Sequence, residues 1–293
     1  MSLGISSMLT EVLARVAGIE ITSPLRIRAI DGGSINTTFH ITTSSNRQWF
    51  CKINDARRFP DLFVLERQGL ALLEAASTIR VPKVIACENI DPDQVLILEW
   101  IDEGPRSDDF WKTFGRQLAG LHQQSAGIFG LDHDNYMGAL PQSNQSSPDW
   151  VDFFVHQRLE PQAALAAGKG LLNKQHLEQF HRLYKSLPDL FDTAPPSLLH
   201  GDLWSGNFLC DSNSRPVLID PAVYYGHRSM DLAMTTLFGG FQRPFYEAYA
   251  YHYPFPSDYR EQWDICNLYP LLIHLNLFGS PYLGNILHTI QRF

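Results

Sequence analysis

The chain has 293 residues, of which 44% are apolar, 12% aromatic and 18% charged, with a net charge of −8 at pH 7. This composition suits a sizeable core in one large domain or two lobes and argues against a disordered chain. The acidic balance disfavours a general binder of nucleic acid or anionic membranes, although a phosphate ligand needs only local positive charge.

The first 20 residues lack a basic end and a long apolar core, so they do not read as a signal peptide. Leu9, Val12, Leu13 and Val16 recur at helical spacing and predict an amphipathic helix. Residues 25–101 then read mostly as strands. Residues 25–30, 37–43 and 48–53 are the first three, the last two joined by the turn Ser44-Ser45-Asn46. Residues 62–76 read as a helix with Leu65, Leu72 and Leu73 on one face, and 83–87 and 94–101 complete a five-stranded sheet. The polar stretch 102–107, with Gly104 and Pro105, marks the boundary between a first lobe (1–101) and a second (102–293).

Helical patterns dominate the second lobe. Residues 108–124 carry the stripe Phe110, Phe114, Leu118 and Leu121 behind a Ser107 N-cap. Residues 130–148 are rich in Gly, Pro, Asn and Ser and read as an ordered loop, followed by helices over 150–167 and 176–187. Residues 198–219 read as strand–loop–strand, and helices are expected to the end. No apolar run approaches the roughly 20 residues needed to cross a bilayer, since Leu271-Leu272-Ile273 is soon broken by His274 and Asn276. The four cysteines, Cys51, Cys87, Cys210 and Cys266, form no C-x-x-C pair and no zinc-like spacing. They read as buried, reduced thiols of a cytoplasmic protein.

The most informative segment is His200-Gly201-Asp202-Leu203-Trp204-Ser205-Gly206-Asn207. Asp202 and Asn207 are five residues apart, and Asp220 follows 18 after Asp202, behind the apolar run Val217-Leu218-Ile219. The Asp-to-Asn offset equals that of the kinase catalytic loop H-R-D-L-x-x-x-N. Phosphoryl transfer needs a carboxylate at the attacking hydroxyl and oxygen ligands for magnesium. Asp202 is therefore expected to face the acceptor hydroxyl, with Asn207 and Asp220 as magnesium ligands. Taken singly, each has a plainer reading: a turn aspartate after Gly201, a turn residue after Gly206, a cap before Pro221. Their joint spacing weakens all three.

Lys52 lies within the apolar stretch Phe50-Cys51-Lys52-Ile53, where a buried ammonium requires a partner. Glu66 is the natural one, as in the lysine–glutamate pair that positions nucleotide phosphates, although Glu74 shares its helix. A solvent-facing lysine on an edge strand is the alternative. Gly32, Gly33 and Ser34 open the candidate phosphate-covering loop, a weak motif with only two glycines, and no Walker A pattern exists in the chain. Glu99, Trp100 and Ile101 end the last strand of the first lobe, where a bilobal kinase reads adenine through backbone groups; a buried strand end is the plainer reading. His200 is expected to orient the loop rather than transfer protons, and Asp231 to cap the next helix or brace the loop. The remaining histidines read as surface or core residues.

The segment 198–207 closely resembles the fructosamine kinase, or ketosamine kinase, family. The similarity extends to Ile219-Asp220-Pro221-Ala222, Tyr224-Tyr225-Gly226-His227-Arg228 and Asp231-Leu232-Ala233-Met234. It also touches Phe50-Cys51-Lys52, Val81-Pro82-Lys83-Val84, Phe129-Gly130-Leu131-Asp132, Leu140-Pro141-Gln142, and residues 150–162 and 269–279. Trp204 inside the motif separates this family from aminoglycoside and choline kinases. The resemblance implies an α+β, bilobal protein-kinase-like fold: a small first lobe with an antiparallel sheet and one main helix, then a larger, mostly helical lobe. It implies ATP and Mg²⁺ as cofactors and phosphorylation of the sugar 3-hydroxyl of a ketosamine, small or protein-bound, whose unstable 3-phosphate breaks down to free the amine. Asp202 would be the base, Asn207 and Asp220 the metal ligands, and Trp204 a wall of the sugar site unless it is a core tryptophan. A monomer or weak dimer is expected. Some relatives carry a cysteine in the phosphate loop that supports redox-controlled dimers; residues 32–38 contain none. Another aminoglycoside- or choline-type phosphotransferase is the alternative, and a pseudokinase a more distant one. A protein kinase is disfavoured because no A-P-E motif follows Asp220.

Overall fold

A computed structural model of the protein describes residues 2–16, 18–22, 24–30 and 35–293. Helix α1 (Ser2–Arg15) buries Leu9, Val12 and Leu13, while Val16 lies just past its end and is exposed. Strands β1 (Arg26–Ile30), β2 (Thr37–Thr42) and β3 (Gln48–Asp55) form an antiparallel meander. Helix α2 (Leu62–Ala76) precedes β4 (Val84–Ile90) and β5 (Asp93–Glu99). The sheet order is β1-β2-β3-β5-β4, which makes β3 the central strand and removes the edge-strand reading of Lys52.

Side-chain alternation divides this sheet's work between two faces. Trp49, Cys51, Ile41, Val95 and Ile97 pack with Leu9, Val12 and Leu13 of α1 in a small core. Lys52 sits directly opposite Leu96 across β3 and β5, so it points to the other face. That face joins Leu62, Phe63, Leu70 and Leu73 of α2 to the large core that runs through the rest of the molecule.

After the sheet come α3 (Asp108–His122), β6 (Asn135–Met137), β7 (Leu140–Gln142), α4 (Trp150–Phe154), α5 (Glu160–Gly168) and α6 (Lys174–Leu190). Strands β8 (Ser197–Leu199), β9 (Phe208–Cys210), β10 (Pro216–Leu218) and β11 (Tyr224–Gly226) follow. Helices α7 (Ser229–Leu237), α8 (Arg243–His252), α9 (Tyr259–Cys266), α10 (Leu268–Phe278) and α11 (Leu283–Ile290) end the chain. Ser107 caps α3 as expected, its hydroxyl accepting the Phe110 N–H at 3.2 Å. Phe110, Phe114, Leu118 and Leu121 are all buried.

Two stretches differ from their sequence reading. The loop at 130–148 contains the β6–β7 hairpin, whose strands of three residues are too short to show an alternation. The helix over 150–167 contains a π turn at Val155–Leu159 between α4 and α5. Arg158 on that turn is fully buried over the Tyr224 ring (4.0 Å) and the Phe153 ring (4.7 Å). Its guanidinium donates to the Asn144 side-chain oxygen at 2.7 Å and to the Ser143 carbonyl. It thus ties the residues after β7 to the helix. The hairpin is tied in turn to the segment after Asp220, through Asn135 to the Val223 carbonyl and Gln142 to the Ala222 carbonyl (2.8 and 3.2 Å).

Helices α3 and α8 approach closely because position 115 is glycine. A Cβ there would lie 2.1 Å from the Phe245 carbonyl oxygen, which backbone cannot evade without parting the helices. Gly115→Ala is expected to cost about 1–3 kcal/mol of stability, typical of overpacking. A urea melt unchanged from wild type would contradict the close approach.

Candidate active site

The loop 200–207 leaves β8 and returns as β9, with Asp220 just after β10. Gly201 has φ +85°, and a Cβ there would lie 2.0 Å from the Ala222 carbonyl. Both the handedness and the contact demand glycine. Asp220 also adopts the left-handed region, with φ +55°. Such strain in a non-glycine residue persists only where its surroundings enforce it. Here the neighbouring Ile219 and Ala222 amides are both engaged, by the Asn207 carbonyl (3.1 Å) and the His200 carbonyl (2.9 Å).

His200 is buried, and both ring nitrogens serve the backbone. Nε2 donates to the Ile219 carbonyl at 2.9 Å, and Nδ1 accepts the Asp202 N–H at 3.2 Å. Burial lowers its pKa, so the ring is an orienting neutral imidazole. Asp231 braces the loop rather than capping α7. Its Oδ2 accepts the His200 N–H at 2.7 Å and its Oδ1 the Gly201 N–H at 2.9 Å. The His122 ring lies 3.1 Å from Oδ2 and is itself held by the Tyr249 hydroxyl at 2.8 Å. Burial opposes the Asp231 charge, but the His122 ring and the loop amide outweigh it and hold the carboxyl below its ordinary pKa.

Asp202 Oδ2 accepts from Asn207 Nδ2 at 2.9 Å. Burial and the nearby Asp220 charge push the Asp202 pKa up to about 7, against the lowering effect of that hydrogen bond. Asn207 Nδ2 also donates to the Asp202 carbonyl at 2.9 Å. A carbonyl can only accept, so the amide orientation is fixed and Asn207 Oδ1 has no partner among the described residues. Lys52 Nζ donates to Glu66 Oε1 at 2.8 Å and to Asp220 Oδ1 at 2.6 Å. Burial works against the ammonium, but Asp220 and Glu66 outweigh it and keep Lys52 charged. Glu74 is exposed and away from this pair, so the choice between the two glutamates falls on Glu66.

These side chains line a cavity of about 640 Å³. The open oxygens of Asn207 and Asp220 are hard donors, which suits a magnesium ion. Trp204 also lines the cavity and is 37% exposed, so it is not a core tryptophan. Its ring lies over Gly206, where a Cβ would come within 2.3 Å. Any side chain at 206 would displace the indole.

Gly32, Gly33 and Ser34 lie outside the described residues. The residues that follow, Ile35 and Asn36, are held by Asn54, whose amide donates to Asn36 Oδ1 (2.6 Å) and the Ile35 carbonyl (3.1 Å). Glu99, Trp100 and Ile101 do not line the cavity with their side chains. Glu99 pairs with Arg80 and accepts the Lys83 amide at 3.2 Å. Trp100 stacks on His40 at 3.8 Å and donates to Asp102, and Ile101 is buried.

Sequence reasoning missed Phe238, His274, Phe278 and Tyr282, which line the cavity beside Trp204. They come from the residue after α7, from α10 and from the turn beyond it, so no local spacing links them. The one visible signal was His274 interrupting an apolar helical run.

A family model described as fructosamine kinase matches residues 6–293. A Lactiplantibacillus plantarum protein described as a probable ketoamine kinase is 41% identical over 272 residues, covering 91% of this chain and 94% of its own. The protein-ribulosamine 3-kinase of Arabidopsis thaliana chloroplasts is 35% identical over 277 residues, covering 93% and 83%. A solved structure from Thermobifida fusca, described as a candidate fructosamine-3-kinase, superposes with a TM-score of 0.87 at 31% identity, covering 98% of this chain and 97% of its own.

Proposed function

This chain belongs to the fructosamine kinase family, and we propose that it phosphorylates the sugar 3-hydroxyl of ketosamines with Asp202 facing that hydroxyl. It has the kinase-like α+β fold, is an ATP-dependent phosphotransferase, and its substrates are ketosamines. The observation that carries the residue-level reading is Lys52, shared by Glu66 and Asp220 at 2.8 and 2.6 Å, next to the Asp202–Asn207 pair. In this reading Lys52 holds nucleotide phosphates, with Glu66 fixing its position. Magnesium, when bound, would be held by Asn207 Oδ1 and Asp220 and would neutralise charge on the transferred phosphoryl group. Asp202 orients the acceptor hydroxyl and takes its proton, a role its raised proton affinity suits.

Backbone groups at Glu99, Trp100 and Ile101 would meet the adenine, and Gly32, Gly33 and Ser34 would cover the phosphates. Trp204 would pack its face on the C–H surface of the sugar. Phosphate elimination from the 3-position would then free the amine, making the reaction a repair step for glycated amines, free or protein-bound. Among the described residues no helix is long and apolar enough to cross a membrane.

The test is release of ADP from Mg-ATP in the presence of ribulose-lysine, fructose-lysine, choline and an aminoglycoside. Turnover of a ketosamine above the others is expected. Faster turnover of choline or the antibiotic would replace this reading with the alternative phosphotransferase.

A further inference from the structure

Seven large hydrophobic side chains stay exposed among the described residues, and three of them stand together at this cavity. They are Trp204, Phe238 and Phe278, 37%, 41% and 51% exposed. Exposed apolar surface gathered in one place points to a ligand, whereas scattered residues do not. The rings form a contiguous set around His274. Its centroid lies 5.0 Å from Phe238, 5.6 Å from Phe278 and 4.9 Å from Tyr282, and Trp204 meets Phe238 edge-on at 6.1 Å.

His274 adds a directed polar atom. Its Nδ1 lies 2.7 Å from the Pro270 carbonyl, which can only accept, so Nδ1 carries the hydrogen. Burial lowers the ring's pKa, so it is neutral near pH 7. In that tautomer Nε2 is a bare acceptor, and it has no partner among the described residues. It is not among the buried unpaired atoms either, so it is open to solvent.

Each of the three carboxylates lining the cavity already has one partner. Glu66 and Asp220 hold Lys52, and Asp202 takes Asn207. A ketosamine brings a secondary alkylamine, protonated near neutral pH, attached through C1 and C2 to the carbon that carries the reacting hydroxyl. Asp202 and Trp204, two residues apart on the same loop, both line this cavity, so a hydroxyl at Asp202 leaves the attached amine within the same space. Beyond these three, no further carboxylate lines the cavity among the described residues. Aromatic faces and a neutral imidazole acceptor attract such a cation without competing for Lys52.

Resting on the ketosamine-kinase reading, we propose that Trp204, Phe238, Phe278 and Tyr282 around His274 form a cage for the ketosamine's ammonium and so select amine adducts over neutral ketose derivatives. His274 and Phe238 are specificity-determining residues here; neither takes part in phosphoryl transfer.

The test compares 1-deoxy-1-(butylamino)ribulose with its 1-O-butyl ether, which replaces the ammonium by a neutral oxygen. kcat/KM for both is measured with Mg-ATP in wild type, His274→Leu and Phe238→Leu, with thermal melts to confirm folding. Wild type is expected to prefer the amine, and each variant to lower the amine-to-ether ratio by roughly 2- to 30-fold, the range of cation–π contacts from exposed to desolvated. Equal use of amine and ether by wild type would overturn the cage whether or not the variants fold. So would a ratio unchanged in the folded variants, or an equal fall for both substrates, which marks a purely steric wall. Absence of phosphorylation of either compound and of every other ketosamine would overturn the underlying reading as well.

Discussion

Replacing Asp202 with asparagine is expected to lower kcat by about 10²–10⁴-fold, the usual contribution of a positioned acid–base group. The substitution keeps the shape of the side chain and removes only its capacity to accept a proton. ATP affinity should be retained, because Lys52 and Glu66 are untouched. Stability should hold or rise, since Asp202 is buried and repelled by Asp220, the two effects that push its pKa up to about 7. Single-turnover phosphorylation of ribulose-lysine, read beside a urea melt, checks both halves. A rate within fivefold of wild type, for a folded protein, would remove Asp202 from the chemistry.

Asp231→Ala should be the most damaging change for the fold. Its carboxylate holds the His200 and Gly201 amides and the His122 ring, and it is 1% exposed. Removing it leaves these buried donors unpaired, and each buried donor left without a partner typically costs about 1–3 kcal/mol. The pH dependence has a definite sign. The folded pKa of Asp231 is lowered, so its stabilising contribution is complete above the unfolded aspartate value of about 3.9. It is lost as pH falls through the lower folded value. The stability gap between wild type and Asp231→Ala should therefore be full at pH 7 and shrink under strongly acidic conditions. Urea midpoints at the two pH values measure it. Equal midpoints at pH 7 would mean that the loop is held by other means.

The periodic elements were legible because their signals are local. The helix at 62–76 matches α2, the strand at 37–43 matches β2 within a residue, and the stripe of α3 is buried as read. The β6–β7 hairpin was not legible, because three-residue strands carry no period and are held by Asn135 and Gln142 to distant carbonyls. Nor was the π turn at Val155–Leu159, where Arg158 finds ring faces and carbonyls from three other segments.

Within the site, the identities and spacing of Asp202, Asn207 and Asp220 stand in the sequence alone, since one loop and one short hairpin carry all three. A lysine inside an apolar strand likewise announced a buried partner, because an unpaired ammonium is too costly to bury. Which glutamate answers it was decided only by tertiary structure. Strand alternation turns Lys52 toward α2, and the packing of that helix brings Glu66 to it while Glu74 faces solvent. The same holds for the far wall of the cavity. Phe238, His274, Phe278 and Tyr282 share the cavity with Trp204 only because the residue after α7 meets His274 of α10, and contacts between residues so far apart in the chain leave no period for a sequence to display.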